Sequence, residues 1–392
     1  MNRKQFLALV IALIIVGAAG AAMFWQNIAE YRASGAKIGA KLLPEMKVAD
    51  VAQIELRDGK SQSTLVRKEN RWVVQERNNY PADFKAISDL IIKLIDLKVV
   101  QADQIGESLL PRVELVEPGR GEGVGTKIEL KDGAGKTLAN VVLGKKVLKK
   151  DPGNPLPAAQ NGVPAGRYVR VLTGKDRVAV VNDPLNNAEA SPGQWLDKDF
   201  VKAERVKTLA VSGTAGQPWK ITRDVEWGQW KFAAGGGQLD ASAAVGAANA
   251  LSQLGFSDVA IGVKPEELTK PVVITAETFD GLTYTLRVSP RGSSEEYLVN
   301  VAVAGEPLSE RPPEKDEKAE EKERRDKDFA ETRKRLEARV QREKGLASWT
   351  YVVERKQVAP LLKSREEMIA KRKPEGREGG GPPPGFPFPG RG

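Results

Sequence analysis

The chain has 392 residues, enough for about two domains of common size. It contains no cysteine and no histidine, which excludes disulfides, thiolate nucleophiles, Cys/His zinc sites and triads that use imidazole as the base. Its net charge of +9 comes from Lys and Arg interspersed with Asp and Glu, without the basic and aromatic interleaving that stacks on bases, so no nucleic acid is expected as a partner.

From Phe6 to Trp25 the chain runs FLALVIALIIVGAAGAAMFW without a charge. That is about 30 Å of helix, the thickness of bilayer hydrocarbon. No polar face recurs at helical spacing, so the segment predicts a transmembrane helix in the lipid bilayer rather than a core helix. Arg3, Lys4 and the small run Ala18 to Ala22 also suit a cleavable signal. The apolar run nevertheless continues to spanning length and ends on Trp25, an interfacial anchor, so a retained single-pass helix is expected. A tail of residues 1–5 ahead of a long body is the signal-anchor layout. It predicts a cytoplasmic tail, an inner-membrane location and an extracytoplasmic, periplasmic body.

A mixed linker over 26–47 leads into short strand patterns at Val51 to Leu56, Ser63 to Lys68 and Trp72 to Gln75, with turns at Asp58-Gly59 and Glu69-Asn70. Asp83 then caps AISDLIIKLIDLKV, where Ile87, Leu90, Ile91, Leu94 and Leu97 recur at helical spacing. The same order returns at Val206 to Val211, Trp219 to Arg223, Trp230 to Phe232, and a helix after Asp240. Trp72 and Trp230 lie 158 residues apart, and Asp83 and Asp240, like Leu94 and Leu251, lie 157 apart. A near-constant offset across strand, cap and helix reads as an internal duplication. Trp72, Trp230, Leu94 and Leu251 are the expected core residues, each Trp filling the space between meander and helix.

Further strands follow each helix, and GRYVRVLTGKDRVAVV and SWTYVVERKQVAPLL look like the same closing hairpin, with Tyr168 matching Tyr351. The longer offset of that pair locates an insertion in the second copy. The inserted EKDEKAEEKERRDKDFAETRKRLEARVQREK follows Pro312-Pro313 and predicts a solvated helix with i to i+4 pairs Glu314–Lys318, Glu320–Arg324 and Glu331–Arg335. Phe329, Leu336 and Val340 form a thin apolar stripe for docking a partner helix. The predicted fold class is therefore α+β: two tandem repeats, each an antiparallel strand meander plus one amphipathic helix plus further strands, after the transmembrane helix. The repeats are assigned to 48–198 and 199–365, with the charged insertion over 311–345, and a basic, then Pro/Gly-rich, disordered tail over 366–392.

Several motifs suggest chemistry without its context. Gly133-Ala134-Gly135-Lys136-Thr137 resembles the end of a phosphate loop, but Leu130 replaces the first glycine and no helix follows, so a hairpin turn is expected. Gly119, Gly121, Gly123 and Gly125 lack the third glycine of a dinucleotide fingerprint and read as a flexible loop. Ser34-Gly35-Ala36-Lys37 has the S-x-x-K spacing of a histidine-independent hydrolase, yet falls in the linker. The carboxylate pairs Glu295-Glu296 and Asp197 with Asp199 have no cation-loop spacing. No catalytic residue, metal ligand or cofactor is expected.

The N-terminal anchor, VADVAQIEL, ENRWVVQE, YPADFKAISDLIIKLIDL, RVELVEPG and LANVVLGKKV together resemble the bacterial domain of unknown function 4340 (DUF4340) family. The likeness covers most of residues 1–365, and the charged insertion and Pro-rich tail lie outside it. RVELVEPG is a loose version of that family's Tyr-Gly-Leu segment. The resemblance implies an uncharacterised envelope protein associated with ABC-type export, including accessory components linked to gliding motility, and it carries no catalytic residues. The expected function is a non-enzymatic, membrane-anchored accessory subunit that binds membrane transporter subunits. A free-standing envelope scaffold or glycan-binding module is the alternative, and a histidine-independent hydrolase is the third reading.

Overall fold

Turn chemistry sets the first hairpins. The computed structural model describes residues 38–370, apart from 44–45, 104, 151–161, 175, 214–216, 293–294 and 312–316. Phe6 to Trp25, Ser34 to Lys37, Pro312-Pro313, Glu314 and the tail beyond residue 370 lie outside the described residues. Among the described residues no helix is long and apolar enough to cross a membrane. The chain divides into two compact units, Met1–Lys198 and Asp199–Gly392.

In the first unit, β1 (Gln53–Arg57) turns into β2 (Gln62–Lys68) through Asp58, whose carboxylate accepts from the amides of Lys60 and Ser61, both at 2.7 Å. β2 turns into β3 (Arg71–Val74) through Glu69 and Asn70, both at positive φ, the conformation that matches the strands' twist. Alternation sends Ile54, Leu56, Leu65, Trp72 and Val74 inward. After β4 (Tyr80–Pro81), Asp83 accepts from the Ala86 amide at 3.0 Å and opens α1 (Phe84–Asp96), which buries Ile87, Leu90, Ile91 and Leu94 along one face. The unit continues with β5 (Val99–Asp103), β6 (Thr126–Lys131), β7 (Thr137–Lys149), β8 (Val163–Val171) and β9 (Arg177–Val181). The sheet order is β4-β3-β2-β1-β6-β7-β8-β9-β5, with every pairing antiparallel.

Two segments expected to be loose are built into this unit. Residues 39–42, assigned above to the linker, run along β5: Gly39 donates to Val99 O and Leu42 to Leu97 O, each at 2.8 Å, and Leu42 and Leu43 are buried. The glycine-rich stretch is not a free loop either. Leu110, Leu115 and Val142 form a small cluster with Val113, Val116 and Tyr168. Val142 alternates with the core residues Val141 and Leu143, so this cluster covers the sheet's other face. A Cβ on Gly125 would lie 2.3 Å from Glu114 O, and one on Gly123 would lie 2.4 Å from Pro111, so close backbone approach is what requires glycine there.

The second unit contains β10 (Val206–Ser212), β11 (Trp219–Thr222), β12 (Lys231–Phe232), α2 (Ala241–Ser252), β13 (Asp258–Val259), β14 (Val272–Thr278), β15 (Leu282–Arg291), β16 (Glu296–Gly305), α3 (Ala319–Lys344), β17 (Tyr351–Glu354) and the short α4 (Arg355–Val358). Its antiparallel sheet runs β12-β11-β10-β14-β15-β16-β17-β13, the order of the first sheet without β4. Register matches as well as order. Ile54 faces Leu65 and Leu130, and Leu209 faces Ile221 and Ala276, all buried. Each unit is closed by its last segment across the helix cap. Asp83 N donates to Trp195 O at 2.8 Å and Asp240 N donates to Met368 O at 2.9 Å. Ala82 bridges Leu196 as Leu239 bridges Ile369. Residues 366–370 therefore belong to the second unit, not to a disordered tail.

The expected match of Tyr168 with Tyr351 is corrected by strand neighbours. Tyr168 lies on β8, facing Val180, whereas Tyr351 lies on β17, which stands where β9 stands in the first sheet, so the two are not counterparts. Tyr351 lies on the final strand, facing Val299 and Val259. The insertion accordingly occupies the connection from β16 to β17, where the first unit has only the short link from Leu172 to Asp176.

Candidate docking surface

The second unit differs most from the first at α3. Its sequence is dominated by charged residues, with Glu320 and Glu321 in the first turn and Arg342 and Lys344 in the last, the polarity that suits the helix dipole. Most of its length is exposed, with Val340 and Glu343 the residues it buries. Of the expected ion pairs, Glu331–Arg335 forms at 3.7 Å and Glu320–Arg324 does not, while Arg333–Glu337 closes at 2.8 Å.

Its C-terminal turn is fixed to the sheet by a buried polar network. Glu343, 2% exposed, accepts from Tyr284 OH at 3.0 Å and from Lys202 N at 3.1 Å. Arg339 stands 3.7 Å from Glu343 and pairs with Glu204 at 2.9 Å, and Arg342 pairs with Asp199. Burial raises the Glu343 carboxyl above its usual range, against the opposing pull of the Lys202 amide, Tyr284 and Arg339. Burial, with the Glu343 charge beside it, holds the Tyr284 phenol well above its usual range. Near the other end, Arg311 pairs with Glu317 at 2.5 Å and Asp326 at 3.2 Å, and Arg333 donates to Ser309 O at 3.1 Å. Between residues 309–311 and the helix lies a groove of about 690 Å³ lined by Arg311, Asp326, Phe329, Ala330 and Arg333.

The expected residues separate into three groups. Trp72, Leu94 and Leu251 are buried in their units. Trp230 is only half-buried, its ring under the Arg223 guanidinium at 4.7 Å. The buried ring of that meander is Trp219, whose Nε1 donates to Lys363 O at 2.8 Å. Trp230 misses the core because β12 is two residues long and begins after it. Of the apolar stripe, Val340 is buried on its own unit and Phe329 and Leu336 are half-buried, so the stripe is turned inward rather than standing free. The phosphate-loop lookalike is the β6–β7 turn, where the amides of Ala134 and Lys136 donate to Asp132, a carboxylate standing where a phosphate would have to bind. Glu295 and Glu296 pair with Arg355 and Arg291. Among the described residues no group of three or more carboxylates could hold a metal ion. Tyr284 and Glu343 were not legible, because their partnership spans 59 residues and only the fold brings them together.

The class these features define is a mixed α+β protein with two antiparallel sheets of nine and eight strands and a charged helix inserted into the second unit. The chain belongs to the family described as domain of unknown function (DUF4340), whose family model matches residues 72–271, from β3 to the residue before β14. No curated protein and no solved structure matches the chain.

Proposed function

We propose that the protein is a non-enzymatic, membrane-tethered docking subunit made of two copies of one unit, which stands outside the cytoplasm as an accessory component of an ABC-type transport system. The observation that carries the docking role is α3, a 26-residue solvent-facing helix placed where the first unit has a short link, and held by a buried Glu343–Tyr284 anchor. The shared strand order, register and cap closure support the duplication. The apolar run Phe6 to Trp25 supports the tether. Since residues 39–42 already belong to the first unit, residues 26–38 span at most about 45 Å, which would keep that unit close to the bilayer. The transporter as partner follows from the family resemblance.

Affinity capture of the full chain from gently solubilised, crosslinked membranes tests this reading. Recovery of a permease or ATPase is the expected result, and recovery of neither overturns it. Retention of cell-wall material instead would assign the body to an envelope scaffold.

A further inference from the structure

The hairpin between β11 and β12 has a different design from its counterpart. In the first unit β2 and β3 are joined by Glu69 and Asn70 alone. In the second, residues 223–230 intervene, and at their tip Trp227 is 92% exposed and Val225 63% exposed. Isolated exposed apolar residues are ordinary, but a whole indole in water on a short loop is not.

The loop is braced rather than slack. Gly228 N donates to Val225 O at 2.9 Å, and Arg223 Nε donates to Val206 O at 2.8 Å while its guanidinium covers the Trp230 ring. Arg205 holds Glu226 at 2.9 Å and also pairs with Asp280, and Lys231 holds Asp224 at 2.7 Å. The brace fixes the loop before any partner arrives, which lowers the ordering cost of binding. The loop carries Asp224 and Glu226 against the single Arg223, whose guanidinium is taken up by Val206 O and the rings of Trp230 and Phe279, so the tip presents Trp227 and Val225 on a loop of net negative charge that anionic headgroups would repel. That charge pattern fits an apolar pocket on a protein better than a lipid surface.

We infer that the Arg223–Trp230 loop is a docking knob, with Trp227 as the anchor that enters an apolar pocket of a membrane protein partner. The inference rests on the docking reading above and adds the residue that makes the contact. It is tested with a photoreactive residue at Gln229 in the full-length chain in native membranes, comparing Trp227 with W227A and W227F. The expected result is a covalent adduct to one membrane protein identified by mass, reduced at least tenfold in W227A and partly retained in W227F. Thermal unfolding of all three should be unchanged, because the side chain touches little. An equal adduct in W227A, an adduct with lipid only, or no protein adduct overturns the knob. If transporter capture persists in W227A, the knob falls and the transporter reading stands. If the adduct is a protein unrelated to transport, the knob stands and the transporter reading falls.

Discussion

Glu343 illustrates how one buried carboxyl tunes a whole element. Folding raises its pKa, so the folded state holds a proton more tightly than the unfolded chain. The sign follows: stability contributed by this group is greatest at low pH and falls as pH rises from the ordinary carboxyl range through the raised value. Chemical denaturation across mildly acidic to neutral pH should show that slope in the wild type and a flatter one in E343Q. A wild-type slope that persists in E343Q would place the titration elsewhere. Removing the acceptor altogether is worse, because E343A leaves the Lys202 amide without its acceptor and the Tyr284 hydroxyl with only its long contact to Lys202 O, at about 1–3 kcal/mol. The two tryptophans of the matched frame should separate in the same assay. W72A opens a core cavity and should cost about 3–5 kcal/mol. W230A removes a half-exposed ring under Arg223 and should cost about 1 kcal/mol.

At the scale of elements, the pieces set by local chemistry were readable in advance. The spacing of Ile87, Leu90, Ile91 and Leu94 is the buried face of α1, and Asp83 is its cap. D83A should cost about 1 kcal/mol, measured by the unfolding midpoint, since one orphan amide then loses its acceptor. The β1–β3 meander falls within two residues of its predicted bounds because turn residues and alternation fix it. Pairing across distance was not readable, and the assignment of Tyr351 failed for that reason: a short apolar strand carries no mark of which neighbour it will join. For α3 the charge pattern gave a solvated helix, but which turn is anchored depends on Tyr284 and Lys202, remote in sequence. Deleting Glu320–Arg333 removes the Arg311–Asp326 pair and the Arg333 bond to Ser309 O but no buried side chain, so it should destabilise the second unit less than loss of the Glu343 anchor does, read by chemical denaturation. Disturbing Val340 and Glu343 should not be so mild. If the long deletion unfolded the unit, the anchor would lie in the outer half of the helix.

For the whole molecule, the absence of cysteine makes orientation directly measurable. A338C would introduce the sole thiol, at an exposed position on α3. A membrane-impermeant maleimide should label it in intact spheroplasts, and labelling only after lysis would place the body in the cytoplasm. By itself, the sequence determined the meander strands, the capped helices and the order in which they recur, because helix period, strand alternation, caps and turns are local and act within a few residues. The offsets of Asp83 to Asp240 and Leu94 to Leu251 carry that information without any contact being known. Only the tertiary structure decided which Trp is buried, which strand ends each sheet, how the last segment closes over each cap, and which side of α3 is held. Those outcomes depend on burial and hydrogen bonding between residues far apart in the chain, and such partners are chosen by the packed whole.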